Sequence, residues 1–135
     1  MVAYCPNTRR IAFGGRTGTV VVHELRAAKA QTLQAHKGAV TAVAFSEDGK
    51  FLATYGAEEA KLSFWQTSQT FLGMGQSQFK CVKSQSAPGI FPVLSPSGTQ
   101  QAFRARLVWI SLKSVTLMLP NSKEFSYERH ILQLM

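Results

Sequence analysis

Residues 35–66 read AHKGAVTAVAFSEDGKFLATYGAEEAKLSFWQ, and this stretch decides the fold. It contains apolar segments at 39–45, 51–54 and 62–65, and polar residues separate them. Short segments with apolar and polar residues in alternation, bounded by Gly, Asp and Ser, are typical of β-strands joined by tight turns. The residues SEDG at 46–49 are the clearest of these turns. The stretch therefore predicts a meander of antiparallel strands.

The same pattern occurs once more upstream, which indicates an internal repeat. Residues 3–12, AYCPNTRRIA, align with residues 44–53, AFSEDGKFLA, at an offset of 41 residues. Residues 19–25 align with residues 61–67 at an offset of 42, so one residue is added in the turn near Glu58 and Glu59. A period of this length, built only from short β-rich segments, is the period of a propeller blade.

These residues resemble one WD repeat. Ala35-His36 and Trp65-Gln66 stand where that family carries its Gly-His and Trp-Asp dipeptides, and the spacing between them fits. Upstream, His23-Glu24 stands in the Trp-Asp place, so the first repeat is divergent. The resemblance implies an all-β fold of WD-repeat β-propeller blades. About three blades fit in 135 residues. Closed propellers have about four to eight, so we expect an incomplete part of a larger, roughly seven-bladed propeller.

A narrower resemblance covers most of the chain. The run 1–26, the segment 36–66 and the segment 105–119 are similar to the C-terminal blades of the rabconnectin β-subunit type. This resemblance implies a non-enzymatic scaffold that is cytoplasmic and peripheral on vesicle or endosomal membranes. It further implies a DMX-like α partner, contact with subunits of the vacuolar proton pump, and a role in pump assembly or regulation and in vesicle trafficking. From Pro120 onward the similarity fades.

The repeat divides the chain into segments. We predict a divergent first WD blade at 1–35, a second WD blade at 36–84, a flexible interblade loop at 85–103, a partial third blade at 104–129 and a tail at 130–135. The loop prediction rests on its Ser, Gln, Pro and Gly content. In the third blade, strands are expected near 106–111, 114–119 and 124–127.

The WD resemblance implies a buried polar relay of His36, Thr54, Glu59 and Trp65. Such a relay stabilises the fold only when it is complete, because an unpaired buried donor costs about 1–3 kcal/mol. Glu59 stands in a place where the family carries Asp and has one more methylene, so the sequence leaves open whether its carboxylate reaches His36. In the first blade His23 supplies no indole, and we expect that blade to be held by packing alone.

The charge distribution supports a second reading of function. The chain carries 15 Lys and Arg against 7 Asp and Glu, a net charge of +8. No acidic residue lies between Glu59 and Glu124, although seven basic residues do. Such a surface favours anionic partners, so the alternative is a basic module that contacts anionic membrane or nucleic acid. The absence of aromatic residues interleaved with Arg and Gly disfavours nucleic acid. A solvated rim would also explain the dispersed charges.

No catalytic or metal-binding motif in the sequence has the residue spacing that its chemistry requires. The run FGGRTG at 13–18 has no following Lys-Ser/Thr, so it does not predict a phosphate loop. The three histidines, at positions 23, 36 and 130, lie far apart, with no Cys or carboxylate at ligand spacing. Cys5 and Cys81 are too few for a disulfide framework and are expected on strands. The sequence therefore predicts no enzyme, no cofactor and no metal site.

Overall fold

The computed structural model describes residues 1–26, 28–68, 78–88, 104–121 and 126–134. Every regular element within these ranges is a β-strand, which confirms the all-β prediction. None of the described residues forms a helix long and apolar enough to cross a membrane. Most of the predicted interblade loop, from residue 89 to 103, lies outside the described residues.

The strands form three antiparallel sheets, each ordered along the chain. The first sheet contains β1 (Val2–Cys5), β2 (Arg10–Gly14), β3 (Thr19–Glu24) and β4 (Lys29–Gln34). The second sheet contains β5 (Ala42–Phe45), β6 (Phe51–Gly56), β7 (Lys61–Ser68) and β8 (Gln78–Ser86). The third sheet contains β9 (Arg106–Trp109), β10 (Ser114–Asn121) and β11 (Ser126–Gln133).

The strand register reproduces the sequence repeat. In the first sheet Ala3 of β1 pairs with Ala12 of β2. In the second sheet Ala44 of β5 pairs with Ala53 of β6, at the equivalent position of the repeat. Because side chains alternate between the two faces of a strand, an equal register places equivalent residues on equivalent faces. The first and second sheets are therefore two copies of one unit.

The sheets stack through their faces, and the first strands β1, β5 and β9 contact one another in that order. One apolar core lies between the first and second sheets; it contains Ala12, Val20, Val22 and Leu33 of the first sheet with Val43, Leu52, Trp65 and Phe79 of the second. Another lies between the second and third sheets and contains Ala53, Tyr55, Leu62 and Phe64 with Leu107, Val115 and Leu117. Fully burying one such large side chain contributes about 1.5–3 kcal/mol.

Specific polar contacts fix how neighbouring sheets meet. The Gln31 side chain of β4 donates to the carbonyl of Phe79 at 3.0 Å and accepts from the amide of Phe79 at 2.8 Å. The indole Nε1 of Trp109 in β9 donates to the carbonyl of Ala44 at 3.0 Å, and its ring stacks on Phe51 with centroids 5.9 Å apart. Each contact reaches from one sheet into the next, so it selects one packing of the two sheets.

The turn between β5 and β6 carries its own hydrogen bonds. The Ser46 hydroxyl donates to Asp48 Oδ1 at 2.7 Å, and the backbone amide of Lys50 donates to the same oxygen at 3.0 Å. The Lys50 amide is the main reason that the pKa of Asp48 lies below its ordinary value. Gly49 has a φ of +75°, a conformation that glycine adopts without steric cost. The polar turn predicted at 46–49 thus has a defined geometry.

The third sheet differs from its prediction. β9 ends at Trp109 rather than at residue 111, and β11 spans Ser126–Gln133 rather than 124–127. Residues 130–133, predicted as part of a tail, therefore belong to a strand. Leu132 and Leu134 pack against the core between the second and third sheets, which explains why the strand continues. Similarly, β8 continues to Ser86, two residues into the predicted loop, because Ser86 pairs with Lys61.

Candidate functional site

The structure places the four residues of the expected relay in one hydrogen-bonded chain. The Trp65 Nε1 of β7 lies 3.0 Å from the Thr54 Oγ1 of β6, and that oxygen lies 2.9 Å from Nε2 of His36. On its other side, Nδ1 of His36 contacts Oε1 of Glu59. The second carboxylate oxygen of Glu59 accepts the backbone amide of Lys37 at 3.3 Å. The longer side chain of Glu59 therefore spans the distance to His36.

The direction of each hydrogen bond in this chain follows from which side-chain atoms can donate and which can accept. An indole N–H can only donate, so Thr54 Oγ1 accepts from Trp65. The hydroxyl oxygen has a second lone pair as well as its own proton, so Thr54 alone does not decide whether Nε2 of His36 donates or accepts. An ionised Glu59 carboxylate only accepts, so Nδ1 carries a proton and donates to it, and Nε2 of a neutral imidazole then accepts from the Thr54 hydroxyl. Every side-chain polar atom from the indole to the imidazole is satisfied by this single arrangement.

Burial favours the same neutral state of His36. Its side chain has no exposed surface, and the Glu59 side chain is 17% exposed. Removal from water lowers the pKa of His36 below its ordinary value, and the hydrogen bond with Glu59 opposes this shift only in part. Lys61 also faces the imidazole and lowers its pKa further. The imidazole is therefore a structural link and not a proton donor to solvent.

Gly18, in the turn between β2 and β3, holds the backbone of His36. Its carbonyl accepts the amides of Ala35 at 3.0 Å and of His36 at 2.9 Å. Gly18 has a φ of +92°, and a Cβ added to it would collide with the carbonyl oxygen of His36. Only glycine fits both conditions. Sequence reasoning missed this role, although the Gly-Gly-Arg-Thr-Gly run at 14–18 is a signal of a tight turn.

An open cleft of about 520 Å³ lies beside the relay, at the boundary of the first and second sheets. It is lined by Thr17, Gln34, Ala35, His36, Lys37, Glu59 and Lys61. Lys37 and Lys61 are exposed and contribute two positive charges, whereas Glu59 contributes one negative charge. The relay hydrogen bonds hold His36 and Glu59 at the cleft, and the side chains of Lys37 and Lys61 at its rim are exposed to solvent.

The remaining candidate residues are dispersed. His23 lies exposed on β3, where its ring meets Phe13 edge to face at 5.5 Å between centroids, and it takes part in no relay. Cys5 is buried and Cys81 is exposed on β8. Within the described ranges, no three His, Cys, Asp or Glu side chains gather closely enough to hold a metal ion. The polar relay and its cleft are the strongest candidate site.

Comparison with known proteins identifies the repeat. Residues 28–66 match the family model described as WD domain, G-beta repeat. The match begins next to β4 and ends within β7, so the sequence repeat joins the last strand of the first sheet to three strands of the second. This agrees with the WD resemblance of residues 35–66. The narrower resemblance to the rabconnectin β-subunit type stays a prediction.

Solved structures are similar in fold. The WD40 repeats of RRP9 match with a TM-score of 0.58 and 13% identity, and a structure of U3-55K matches with the same TM-score and identity. Each match covers 98% of this chain, which spans 36% of the length of either protein. The three sheets therefore follow the arc of a WD40 propeller, and the predicted fold class is confirmed.

Replacement of Thr54 by valine tests the relay. Valine has nearly the shape of threonine, but at this position it would leave the Trp65 indole N–H without its acceptor and Nε2 of His36 without its donor. We expect the free energy of unfolding to fall by about 1–3 kcal/mol, measured by denaturant titration. Thr32→Val, on an exposed position of β4, is the matched control and should change stability by less than about 0.5 kcal/mol. Equal effects of the two substitutions would contradict the relay.

The lowered pKa of His36 predicts a pH dependence of stability. Because the unfolded chain binds this proton more tightly than the folded chain, the free energy of unfolding is greatest above the ordinary histidine pKa of 6.5. It should fall as the pH drops below that value toward the folded-state pKa. Denaturant midpoints at about pH 7.5 and about pH 5.5 measure this change. His36→Asn should reduce the dependence, and a midpoint that rises on acidification would refute the neutral buried imidazole.

Proposed function

We propose that this chain is a non-enzymatic protein-interaction scaffold that binds a partner in the cleft beside the relay. WD40 repeats generally serve as interaction scaffolds, and this chain carries one such repeat within three stacked sheets. The observation that carries the proposal is an open cleft whose rim carries the exposed side chains of Lys37 and Lys61 beside the hydrogen-bonded His36 and Glu59. A preformed surface of this kind loses little conformational entropy on binding, so a larger share of the interaction free energy contributes to affinity.

The charge of the rim indicates the chemistry of the partner segment. Lys37 and Lys61 line the cleft together with Glu59 and are exposed, and both oxygens of that carboxylate already accept hydrogen bonds. Among the lining residues two ammonium groups stand against the single carboxylate of Glu59, and the carboxylate of Glu58 lies outside the lining, against Gly38. An extended acidic segment, with a carboxylate for each lysine, complements this rim. Complementary charges speed the encounter and fix the orientation of the partner.

The resemblance to the rabconnectin β-subunit type makes the proposal specific. We infer that the partners are a DMX-like α subunit and subunits of the vacuolar proton pump. The setting would be the cytoplasmic surface of vesicles or endosomes, where the chain is peripheral. The role would be in assembly or regulation of the pump and in vesicle trafficking. The similarity of residues 1–26, 36–66 and 105–119 to that type supports this assignment.

A basic membrane-contact surface is the second candidate, and its location differs from the cleft. Lys80 and Lys83 lie on β8 and Arg129 lies on β11, the outermost strands of the second and third sheets. Nζ of Lys83 donates to the carbonyl of Gln133 at 2.9 Å, which brings these two strands together. Anionic headgroups would meet basic side chains along this edge.

Charge reversal separates the two candidates. We expect Lys37→Glu combined with Lys61→Glu to weaken binding of the purified α partner or pump subunits about tenfold or more, because like charges then face the acidic segment. Binding is measured by calorimetry at two salt concentrations. Lys80→Glu combined with Lys83→Glu changes the net charge equally and serves as the control. The control pair should leave protein binding unchanged and reduce binding to phosphatidylserine vesicles.

Either of two results would contradict the proposal. One is equal loss of protein binding from both charge-reversed pairs, which would indicate a net-charge effect without a defined cleft. The other is unchanged protein binding in the cleft variant. If only vesicle binding responds, and it responds to the edge pair alone, the membrane-contact function replaces the scaffold.

A further inference from the structure

The first turn of each sheet ends with a basic residue. The turn between the first and second strands ends at Arg9 in the first sheet, at Lys50 in the second and at Lys113 in the third, and the next residue begins β2, β6 or β10. All three side chains are exposed. We call these three residues the basic row. A cation thus stands at the same place in three turns of different sequence, so the row follows the repeat of the fold.

A backbone hydrogen bond shows that the three positions are structurally equivalent. In each sheet the carbonyl of the basic residue accepts an amide from the end of the third strand or from the residue directly after it. These amides are those of Leu25 at 3.0 Å, Thr67 at 2.9 Å and Leu134 at 2.7 Å. Arg9 also has a φ of +52°, a left-handed conformation that strains a side chain and that glycine adopts without cost. A long cation occupies this position despite that strain.

Lys50 shows which way the basic row points. Its sheet is packed on both faces, by the first sheet and by the third, and Lys50 is nevertheless exposed. The position therefore lies at the end of the strands, outside the contacts between sheets. Arg9 and Lys113 occupy the equivalent position, so a further sheet packed on either face of the stack would leave them accessible.

Contacts between neighbouring sheets hold the three turns together. The Asn7 side chain in the first turn donates to the carbonyl of Glu47 in the second turn at 2.8 Å. Phe51, the residue after Lys50, stacks on Trp109 of the third sheet with centroids 5.9 Å apart. Sheets packed face to face lie about 10 Å apart, so the three cations span about 20 Å along one end of the stack. The basic row is therefore a line of separated charges and not a pocket for one small ion.

We propose that the basic row docks this chain on an anionic lipid bilayer. A bilayer presents negative headgroups over a continuous surface, so each separated cation can meet one without a matched register. Leu25 and Leu112 are exposed beside Arg9 and Lys113, and aliphatic side chains next to basic ones suit the boundary between headgroups and acyl chains. The three turns contain no aromatic side chain on which a base could stack, which disfavours a nucleic acid strand.

Acidic groups near the row reduce the charge of this surface without cancelling it. In the second turn Asp48 is half-buried, and its carboxylate accepts from the Ser46 hydroxyl and from the Lys50 amide. Glu47 in the same turn is exposed. Arg26, exposed in the turn after β3, adds a fourth cation at this end of the strands. Among these groups four cations stand against two carboxylates, so the surface stays positive.

The basic row and the cleft lie at opposite ends of the strands. Lys50 directly precedes β6, whereas Glu59 follows the end of β6 and Lys61 begins β7. A chain docked by the row would therefore turn its cleft away from the bilayer and leave it open to a protein partner. This docking gives a physical basis for the peripheral setting proposed above, and it does not depend on what the cleft binds.

Cosedimentation of the full chain with phosphatidylserine vesicles tests the row. Each Lys or Arg near an anionic surface changes partitioning about fivefold. We expect Arg9→Gln with Lys50→Gln to lower the vesicle affinity about 25-fold, and Lys113→Gln added to this pair to lower it about 100-fold or more. Glu47→Gln removes an acid beside the row and should raise the affinity about fivefold. Circular dichroism verifies that each variant remains folded.

Lys37→Gln with Lys61→Gln removes the same charge at the opposite end of the strands and is the matched control. It should change vesicle affinity less than about twofold, because charges beyond a Debye length are screened. Equal losses from the two pairs would overturn the proposal, and so would a loss confined to Lys80→Gln with Lys83→Gln on β8. Row variants that lose binding to single-stranded RNA and keep vesicle binding would also overturn it. Partner binding in the cleft is measured separately by calorimetry, so the two proposals fail independently.

Discussion

The indole N–H of Trp65 is the constraint on which the rest of the site depends. It can only donate, and its acceptor is the buried hydroxyl of Thr54. The same hydroxyl meets Nε2 of His36, burial favours the neutral imidazole, and the Glu59 carboxylate holds the ring proton on Nδ1. A buried network is stabilising only when all its members are satisfied. The two strands, the turn at residues 57–60 and the segment before β5 are therefore fixed together.

The relay also links the two sheets that form the cleft. His36 lies in the connection between β4 and β5, and this connection runs from the first sheet to the second. Its side chain is anchored in the second sheet by Thr54, and its backbone amide is held by Gly18 of the first sheet. A shift of either sheet would break one of these bonds. The position of Lys37, the next residue, and hence the charged rim, follows from this double attachment.

Local sequence patterns predicted the repeating parts of the structure, and tertiary packing determined the rest. The offset between Ala3 and Ala44 predicted the equal registers of the first two sheets, because alternation and turn residues act locally. The WD spacing predicted the places of His36 and Trp65 in the relay, because that spacing is also a local pattern. The third sheet has no matching repeat, so the extent of β11 depended on contacts of Leu132 with distant residues. The attachment of His36 to Gly18 and of Trp109 to Ala44 joins residues far apart in sequence, where no local pattern signals a partner.

The tautomer of His36 is the most direct measure of the central claim. Long-range nitrogen–proton correlation spectra of the imidazole distinguish a proton on Nδ1 from a proton on Nε2. The relay requires the proton on Nδ1 above the ordinary histidine pKa of 6.5, with Nε2 accepting from Thr54. Thr54→Val should keep this preference, because the Glu59 carboxylate still accepts only from a protonated Nδ1. A folded chain whose His36 carries its proton on Nε2 would contradict the hydrogen bond from Nδ1 to Glu59 and the direction of the relay.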